Sequence, residues 1–597
     1  MTQHDPTLHT DDQPSTHVSD RRQGIVAFFG MAMVVILLIA GAYVTLRGNG
    51  ANANNPGGTE ESEQQPADVD NWEKPLFAIV VSGQMHGYID PCGCSDPQYG
   101  GLTRRFNFMQ SLKAKQWDVV GIDLGDLPQL KGIPEQNLLK FDLTVKALAA
   151  MNYKAFGIGK DEIEFPLGAA LAPVYDEKRP HPRPLALTLG KTGPGELYHG
   201  LNVRPYEIIA TTNSKIGVIN MMGPDMREEL NEQFLPNMKE LPKALDAFAK
   251  AGVEFGVILH HEHPKLDKVN FPEKGIARAK AVLAKREEQA RLCAIYCAEA
   301  RQKNPRIPAI QLMVVLSDDP EPPGLTNILG GKAGPTQVVE IGHKGKYVGL
   351  VGVYRDKSGF RMQYQTVLMA PKWNTPPGDE KKNAVIALLE KYNQALKADD
   401  MLAKAPRSPH FNQVPANGVG LKATFVGSKA CQECHDHAFK IWAESAHAKA
   451  TNTLEDLKHP SGRQYDPECM KCHTTGFEHP GGYHYPIANL AAWKPGPPAN
   501  VNPVQLEQHN TLMRGVGCES CHGPGSEHVN KPANKMIRDA MNPFRKLPQE
   551  KMVLLNRFCI QCHDSENDVH WGDKGHEVQD RWMKIIHRTP PVNNNNK

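Results

Sequence analysis

The chain has 597 residues, 22% of them charged, a formal net charge of +2 and 12 cysteines. That length exceeds what one hydrophobic core organises, so several domains are expected. The near-balanced charge supplies no basic field, which argues against nucleic acid as a partner.

Residues 1–23 are polar and read as a short cytoplasmic tail. Residues 24–46, GIVAFFGMAMVVILLIAGAYVTL, run for 23 positions without a charge, long enough to cross a bilayer as one transmembrane helix. Arg21 and Arg22 precede the run and Arg47 follows it, a bias that keeps the N-terminus in the cytoplasm. The protein is therefore expected at the cytoplasmic membrane, single-pass, with its bulk in the periplasm or an equivalent extracytoplasmic space. Two other readings are a signal peptide cleaved near Ala40-Gly41-Ala42 and a buried core helix. Residues 47–74 carry almost nothing to bury and read as a flexible linker.

From 75 to 370 short apolar runs alternate with helical stretches. PLFAIVVSG, DVVGIDLGD, IGVINMMG, EFGVILHH and IQLMVVLSDD read as buried strands; PEQNLLKFDLTVKALAAM, KELPKALDAFAKAG and residues 274–303 read as helices. This alternation predicts a largely parallel α/β sheet. TQVVEIGHKGKYVGLVGVYRD and FRMQYQTVLM have no helix between them and predict a closing antiparallel meander. Residues 371–420 read as a connector around one helix, 421–589 as a mainly helical domain rich in Pro, Gly and His, and 590–597 as an Asn-rich disordered tail.

Eight of the twelve cysteines and fourteen of the 25 histidines follow residue 420. All eight cysteines fall in four CxxCH units: Cys431, Cys434 and His435; Cys469, Cys472 and His473; Cys518, Cys521 and His522; Cys559, Cys562 and His563. In such a unit two thiols bond a porphyrin and the adjoining imidazole takes its iron. Zinc ribbons and disulfides also use paired cysteines, but neither requires a histidine directly after every second one. Four covalently attached haem c groups are expected, serving as the core of a segment with few aliphatic side chains.

His447, His528 and His587 are candidates for the opposite faces of these irons. His447 lies twelve residues after His435 in CHDHAFKIWAESAHAKA, about 18 Å of rise if the whole stretch is one helix, so the two are expected to serve different irons. His528, six residues after His522, is likewise expected to point away from its own haem.

FVGSKACQECH, ESAHAKA, CMKCHTTGFEHPGGY, GVGCESCHGPGSEH and CIQCH, in this order, resemble the tetrahaem cytochromes c of nitrifying bacteria that carry electrons away from hydroxylamine oxidoreductase. The resemblance implies three haems with two imidazoles and a second haem with one open face. Carried over by position, it implies His447 on the third haem, His528 on the fourth and His587 on the first. His479, His484 and His509 follow the second unit closely and could fill its open position.

GQMHG at 83–87, GGLTRR at 100–105 and IDLGD ending at Asp126 resemble the 5'-nucleotidase branch of the calcineurin-like metallophosphoesterases, implying a sandwich fold and a two-metal site. The ligand set is incomplete. Gln84 stands at the first aspartate position, Lys160-Asp161 at the Asn-His pair, and Leu316-Ser317-Asp318-Asp319 at the late histidine motif, with Lys160 expected where a cation would sit. His86, Asp126 and one of His260, His261 or His263 remain, so the domain reads as a degenerate phosphoesterase. Cys92, Cys94, Cys293 and Cys297 belong to no CxxCH unit; in an exported protein some of them are expected to cross-link, with buried thiols, and for Cys92 and Cys94 metal binding or redox activity, as the alternatives.

The sequence thus predicts a multidomain chain: a single N-terminal transmembrane helix, an α/β metallophosphoesterase-like sandwich, then a mainly α-helical multihaem cytochrome c domain. Its expected work is electron transfer between redox donor and acceptor proteins. Rival readings are a haem reductase or oxidase of a small nitrogen compound at His473 and a residual metal-dependent phosphohydrolase.

Overall fold

The computed structural model describes residues 69–585 except 92–97, 173–181, 231, 264, 266–275, 319–320, 323–326, 331, 333–334, 358, 414–421, 497, 499–500, 543–557, 565–566, 569 and 572–577. The apolar run 24–46, His587, Cys92 and Cys94 lie outside the described residues. Within them, no helix is long and apolar enough to cross a membrane.

Twelve strands form two six-stranded sheets. One sheet has the order β12(Gly359–Leu368)-β11(Tyr347–Asp356)-β1(Phe77–Ser82)-β2(Val119–Asp123)-β3(Tyr153–Gly157)-β4(Arg183–Leu185). The other has the order β5(Tyr206–Ala210)-β6(Lys215–Met222)-β7(Phe255–His261)-β8(Ile310–Leu316)-β10(Thr336–Ile341)-β9(Asn327–Leu329). Strands β1 to β4 are mutually parallel, as are β6, β7, β8 and β10, while antiparallel strands close the edges. The expected closing meander is divided between the sheets. β10 pairs in parallel with β8, and only β11 and β12 form a hairpin, on the other sheet.

The central strands read as unbroken apolar runs because both of their faces are buried. Along β1, Phe77, Ile79 and Val81 point into the layer between the sheets, where they meet Val218, Val257 and Leu259. Ala78 and Val80 point the other way, onto Leu102, Phe108, Phe141 and Leu148 of the helices Leu102–Ala114 and Pro134–Ala150. A third core joins Ile219, Ile258 and Met313 to the helices Asn237–Ala251 and Ile276–Lys303. The result is four layers, helix, sheet, sheet, helix. Each fully buried large aliphatic or aromatic side chain contributes about 1.5–3 kcal/mol.

The region read as a connector belongs to this core. Helix Ala384–Ala398 places Val385, Leu389, Tyr392 and Leu396 in the same cluster as Phe141 and Leu148. Its cap, Asn383, accepts from Val385 N at 3.0 Å and donates to Thr103 O at 3.0 Å. Cys293 and Cys297 carry free thiols on one helix, so the expected cross-link does not involve this pair.

Alternation along β7 sends His260 toward the outer helices and His261 into the space between the sheets. Burial pushes both imidazoles down to about 4. A histidine held neutral in the fold destabilises it as pH falls from its unfolded value near 6.5 toward 4. His260→Leu is expected to remove one proton's worth of this acid sensitivity, measured as a flatter fall of melting temperature between pH 7 and 4.5; an unchanged slope would contradict it.

Candidate haem-binding region

Beyond residue 421 the chain forms short helices around a small aliphatic cluster of Leu402, Leu454, Met470 and Phe477. A cavity of about 810 Å³ opens beside it, lined by His447, His473, His563, Cys472, Cys521 and Cys562 among others. The sequence places its thiols and imidazoles around a space instead of a packed aliphatic core.

The stretch expected as one helix from His435 is broken. Helix Asp436–Glu444 ends at Ser445, whose extended backbone (φ −74°, ψ 161°) turns the chain into a short 3-10 turn, His447–Lys449. The turn is fixed by the approach to the third unit: Val516 N donates to His447 O at 2.8 Å, and Trp442 Nε1 donates to Val516 O at 2.9 Å. Gly515 (φ 72°) passes so close to the carbonyl of Ala448 that a Cβ would sit 2.6 Å from its oxygen. Gly515 N donates to Thr451 Oγ1 and Gly517 N to Thr475 Oγ1, at 2.8 and 2.9 Å. Residues 515–517 thus join the His447 turn, the loop after the second unit and the third unit.

Glu519, inside the third unit, is 1% exposed and clasps the entry to the first. Its carboxylate accepts from the amides of Val426 at 3.0 Å, Gly427 at 2.7 Å and Gly525 at 2.7 Å. Burial pushes its pKa up to about 7 against the pull of those donors. Sequence reasoning passed over this residue; its only signal was an acidic side chain between two cysteines.

Three CxxCH imidazoles are oriented by their Nδ1 atoms. His473 Nδ1 lies 2.6 Å from Ala450 O, His522 Nδ1 2.8 Å from Met541 O and His563 Nδ1 3.0 Å from Asp568 Oδ2. An imidazole that donates from Nδ1 presents the Nε2 lone pair to a metal, the arrangement of metal-ligating histidines. Asp568 is itself held by Arg581 at 2.6 Å. Burial lowers the pKa of His447 and His473, favouring the neutral form that ligates.

The opposing imidazoles differ from the order the resemblance implied. His528 stands against His435 of the first unit, ring centroids 6.1 Å apart, and His447 against His563 of the fourth, at 6.0 Å. Two imidazoles on opposite faces of one metal, each bonded at about 2 Å, have ring centres roughly 6 Å apart. His528 therefore meets the first unit instead of the fourth, and His447 the fourth instead of the third. For His447 the cause is the break at Ser445 and the hub at 515–517, which carry it across to the last unit. Of the three substitutes considered for the second unit, His484 bonds Asp400 at 2.8 Å, His509 bonds Gly482 O at 2.9 Å, and His479 bonds Ser408 O at 2.8 Å while lining the large cavity.

The units are not strung in chain order. Cys431 of the first and Cys518 of the third are within hydrogen-bond reach, as are Cys472 of the second and Cys562 of the fourth. Cys521 of the third lies near enough to Cys559 of the fourth for their charges to interact. The spatial order is first, third, fourth, second.

Residues 430–491 and 498–523 match the family model described as cytochrome c554 and c-prime. The C-terminal region resembles cytochrome c554. Over 126 residues it is 29% identical to cytochrome c-554 of Nitrosomonas europaea, covering 19% of this chain and 45% of that protein. Over 75 residues it is 29% identical to the multiheme cytochrome MtrA of Shewanella baltica, 13% of this chain and 21% of that one. Covalently bound haem c, which the cytochrome c554 likeness implies, fits the paired thiols, the oriented imidazoles and the cavity.

The sandwich is 25% identical over 169 residues to snake venom 5'-nucleotidase of Crotalus adamanteus, 27% of this chain and 28% of that protein. The chain spans less than half the length of each of these relatives. Similar solved structures include the 5'-nucleotidase precursor of Thermus thermophilus, with 19% identity, a TM-score of 0.38 and 54% of this chain and 59% of that one covered.

At the position of the phosphoesterase site, Gln84 Nε2 donates to Ser317 O at 3.0 Å and its Oε1 accepts from Ser317 N at 2.9 Å, a neutral strap between the sheets. His86 Nδ1 is bound to Asp161 at 2.6 Å, and His261 Nε2 to Leu124 O at 2.6 Å. Lys160 does not enter the site as expected: its ammonium is drawn to the carboxylates of Glu229 at 2.6 Å and Glu164 at 3.8 Å. Gln84, His86 and Asp126 keep left-handed backbones with φ of 49°, 47° and 55°. Among the described residues no group of three or more His, Cys, Asp or Glu side chains is placed to hold a metal ion.

Proposed function

We propose that the chain is a tetrahaem c-type cytochrome that passes electrons between protein partners on the outer face of the cytoplasmic membrane, anchored by residues 24–46. The observation that carries this reading is the two pairs of opposed imidazoles, His435 with His528 and His447 with His563, at the spacing of two ligands across one metal. When bound, the haems supply reversible one-electron exchange at iron. The cysteine pairs would tether each macrocycle, and their spatial order would set the order of transfer, with the first and second units at the ends. The first unit is the open end, since Cys434 and His435 are exposed there, and it is the natural face for a redox partner. His528 and His447 would then hold the first and fourth haems together with His435 and His563.

A pyridine haemochrome assay on the full-length protein is expected to give four haems per chain, with low-spin bis-imidazole signals in the EPR spectrum. Fewer than four, or no bis-imidazole signal, would sink the reading. Retention in alkali-washed membranes tests the anchor separately.

The carboxylate behind His563 makes that imidazole a stronger donor than the carbonyls behind His473 and His522 do for theirs. Asp568→Asn is therefore expected to raise the midpoint potential of the fourth haem alone; an unmoved titration curve would show that Asp568 only positions Trp571 and Arg581.

A reductase or oxidase at the second unit is the second reading, favoured by the engagement of His484 and His509 with Asp400 and Gly482. A nitric oxide titration decides it, because an open iron shifts its optical spectrum on binding.

A further inference from the structure

The second unit does not face solvent as the first does. It opens onto a cavity of about 510 Å³ with walls from two domains. One wall carries Cys469, Cys472 and His473; the other comes from the rim of the phosphoesterase-like site, where Tyr88, Gln129 and Lys131 line the same space. Tyr88 lies two residues beyond His86, so the loop that follows the phosphoesterase-like site reaches the CxxCH helix.

The two walls are clamped by polar contacts whose sandwich-side partners Lys140, Gln136 and Tyr392 are buried. Lys140 Nζ, on a side chain only 5% exposed, binds Glu468 Oε2 at 2.6 Å and Gln129 Oε1 at 2.8 Å. Glu468 directly precedes Cys469. Gln136 and Tyr392 hold Asp466, the cap of the same helix, at 2.9 and 3.2 Å. Arg463 binds Asp90 Oδ2 at 2.7 Å and Pro91 O at 3.0 Å. Burying Lys140, Gln136 and Asp466 is costly unless each is paired, so the contact is built and not incidental.

We propose that the second haem is an interdomain cofactor: the phosphoesterase-like domain forms one wall of its pocket, and Lys140, through Glu468, sets its redox potential. This deepens the cytochrome reading and rests on a haem at Cys469 and Cys472. It also gives the degenerate domain a task that needs no metal. A cation near a haem disfavours the more positive ferric state, so removing it lowers the midpoint potential.

The test is an EPR-monitored redox titration of the full-length holoprotein, comparing wild type with Lys140→Met, the double variant Lys140→Met with Glu468→Gln, and Lys131→Glu. Lys131 is exposed, so its replacement leaves folding intact. Haemochrome counts and wild-type spectra establish separately whether four haems are present. With all four present, Lys140→Met and Lys131→Glu are expected to lower the midpoint of one haem while three stay put, and the added Glu468→Gln to return it toward wild type. If Lys140→Met fails to fold, Lys131→Glu decides. No shift in a folded, fully loaded protein, or equal shifts in all four haems, would overturn the proposal.

Discussion

His528→Ala is expected to turn one low-spin haem high-spin, and that haem is the first, tethered at Cys431 and Cys434. The variant removes the imidazole whose ring centre stands 6.1 Å from that of His435. His447→Ala should produce the same spectral change at the fourth haem, opposite His563. The two are told apart by adding Asp568→Asn: it should move the midpoint of the new high-spin haem in the His447 variant and leave that of the His528 variant alone. If the assignments exchange, the pairing read from the structure is wrong and the family order stands.

Glu519→Ala is expected to cost the most in stability. Three amide donors, buried at Gly427 and Gly525 and half-buried at Val426, would lose their acceptor together. Each orphaned buried donor costs about 1–3 kcal/mol, so the loss is on the order of 3 kcal/mol or more. The apparent melting temperature of the haem region should fall by several degrees, and proteolysis near residue 426 should quicken. Glu519→Gln keeps one acceptor oxygen and is expected to fall between. A melting temperature within about 2 °C of wild type for the alanine variant would rule out the clasp.

What the sequence made legible was local. A CxxCH unit is five adjacent residues bound to one group, so covalent connectivity alone reveals it. The strands of the sandwich announced themselves because both faces of β1, β6 and β7 are buried, leaving largely apolar runs. The helix Ala384–Ala398 carried a readable signal that was passed over: Val385, Leu389, Tyr392 and Leu396 recur at helical spacing and mark a face with a core to join.

The imidazole pairing was not legible, because it depends on where a helix stops. Nothing in the run KIWAES marks Ser445 as a break; the hydrogen bonds that impose it come from residues 515–517, some 70 positions later. Lys160 was misjudged for a related reason: its place in a motif says nothing about where a long side chain finds its counter-charge. The clamp between Lys140 and Glu468 joins positions 328 apart, and neither residue stands out in its own neighbourhood.

The interleaving of the four attachment units makes the last segment of the chain indispensable in a way its length conceals. A premature stop after residue 557 would remove 40 of 597 residues and spare three of the four CxxCH units. What survived would be the first and third as neighbours and the second stranded beyond a gap, pinned against the sandwich. On the proposed tetrahaem reading, such a product would still be red, would still bind most of its iron, and would conduct nothing from one end to the other.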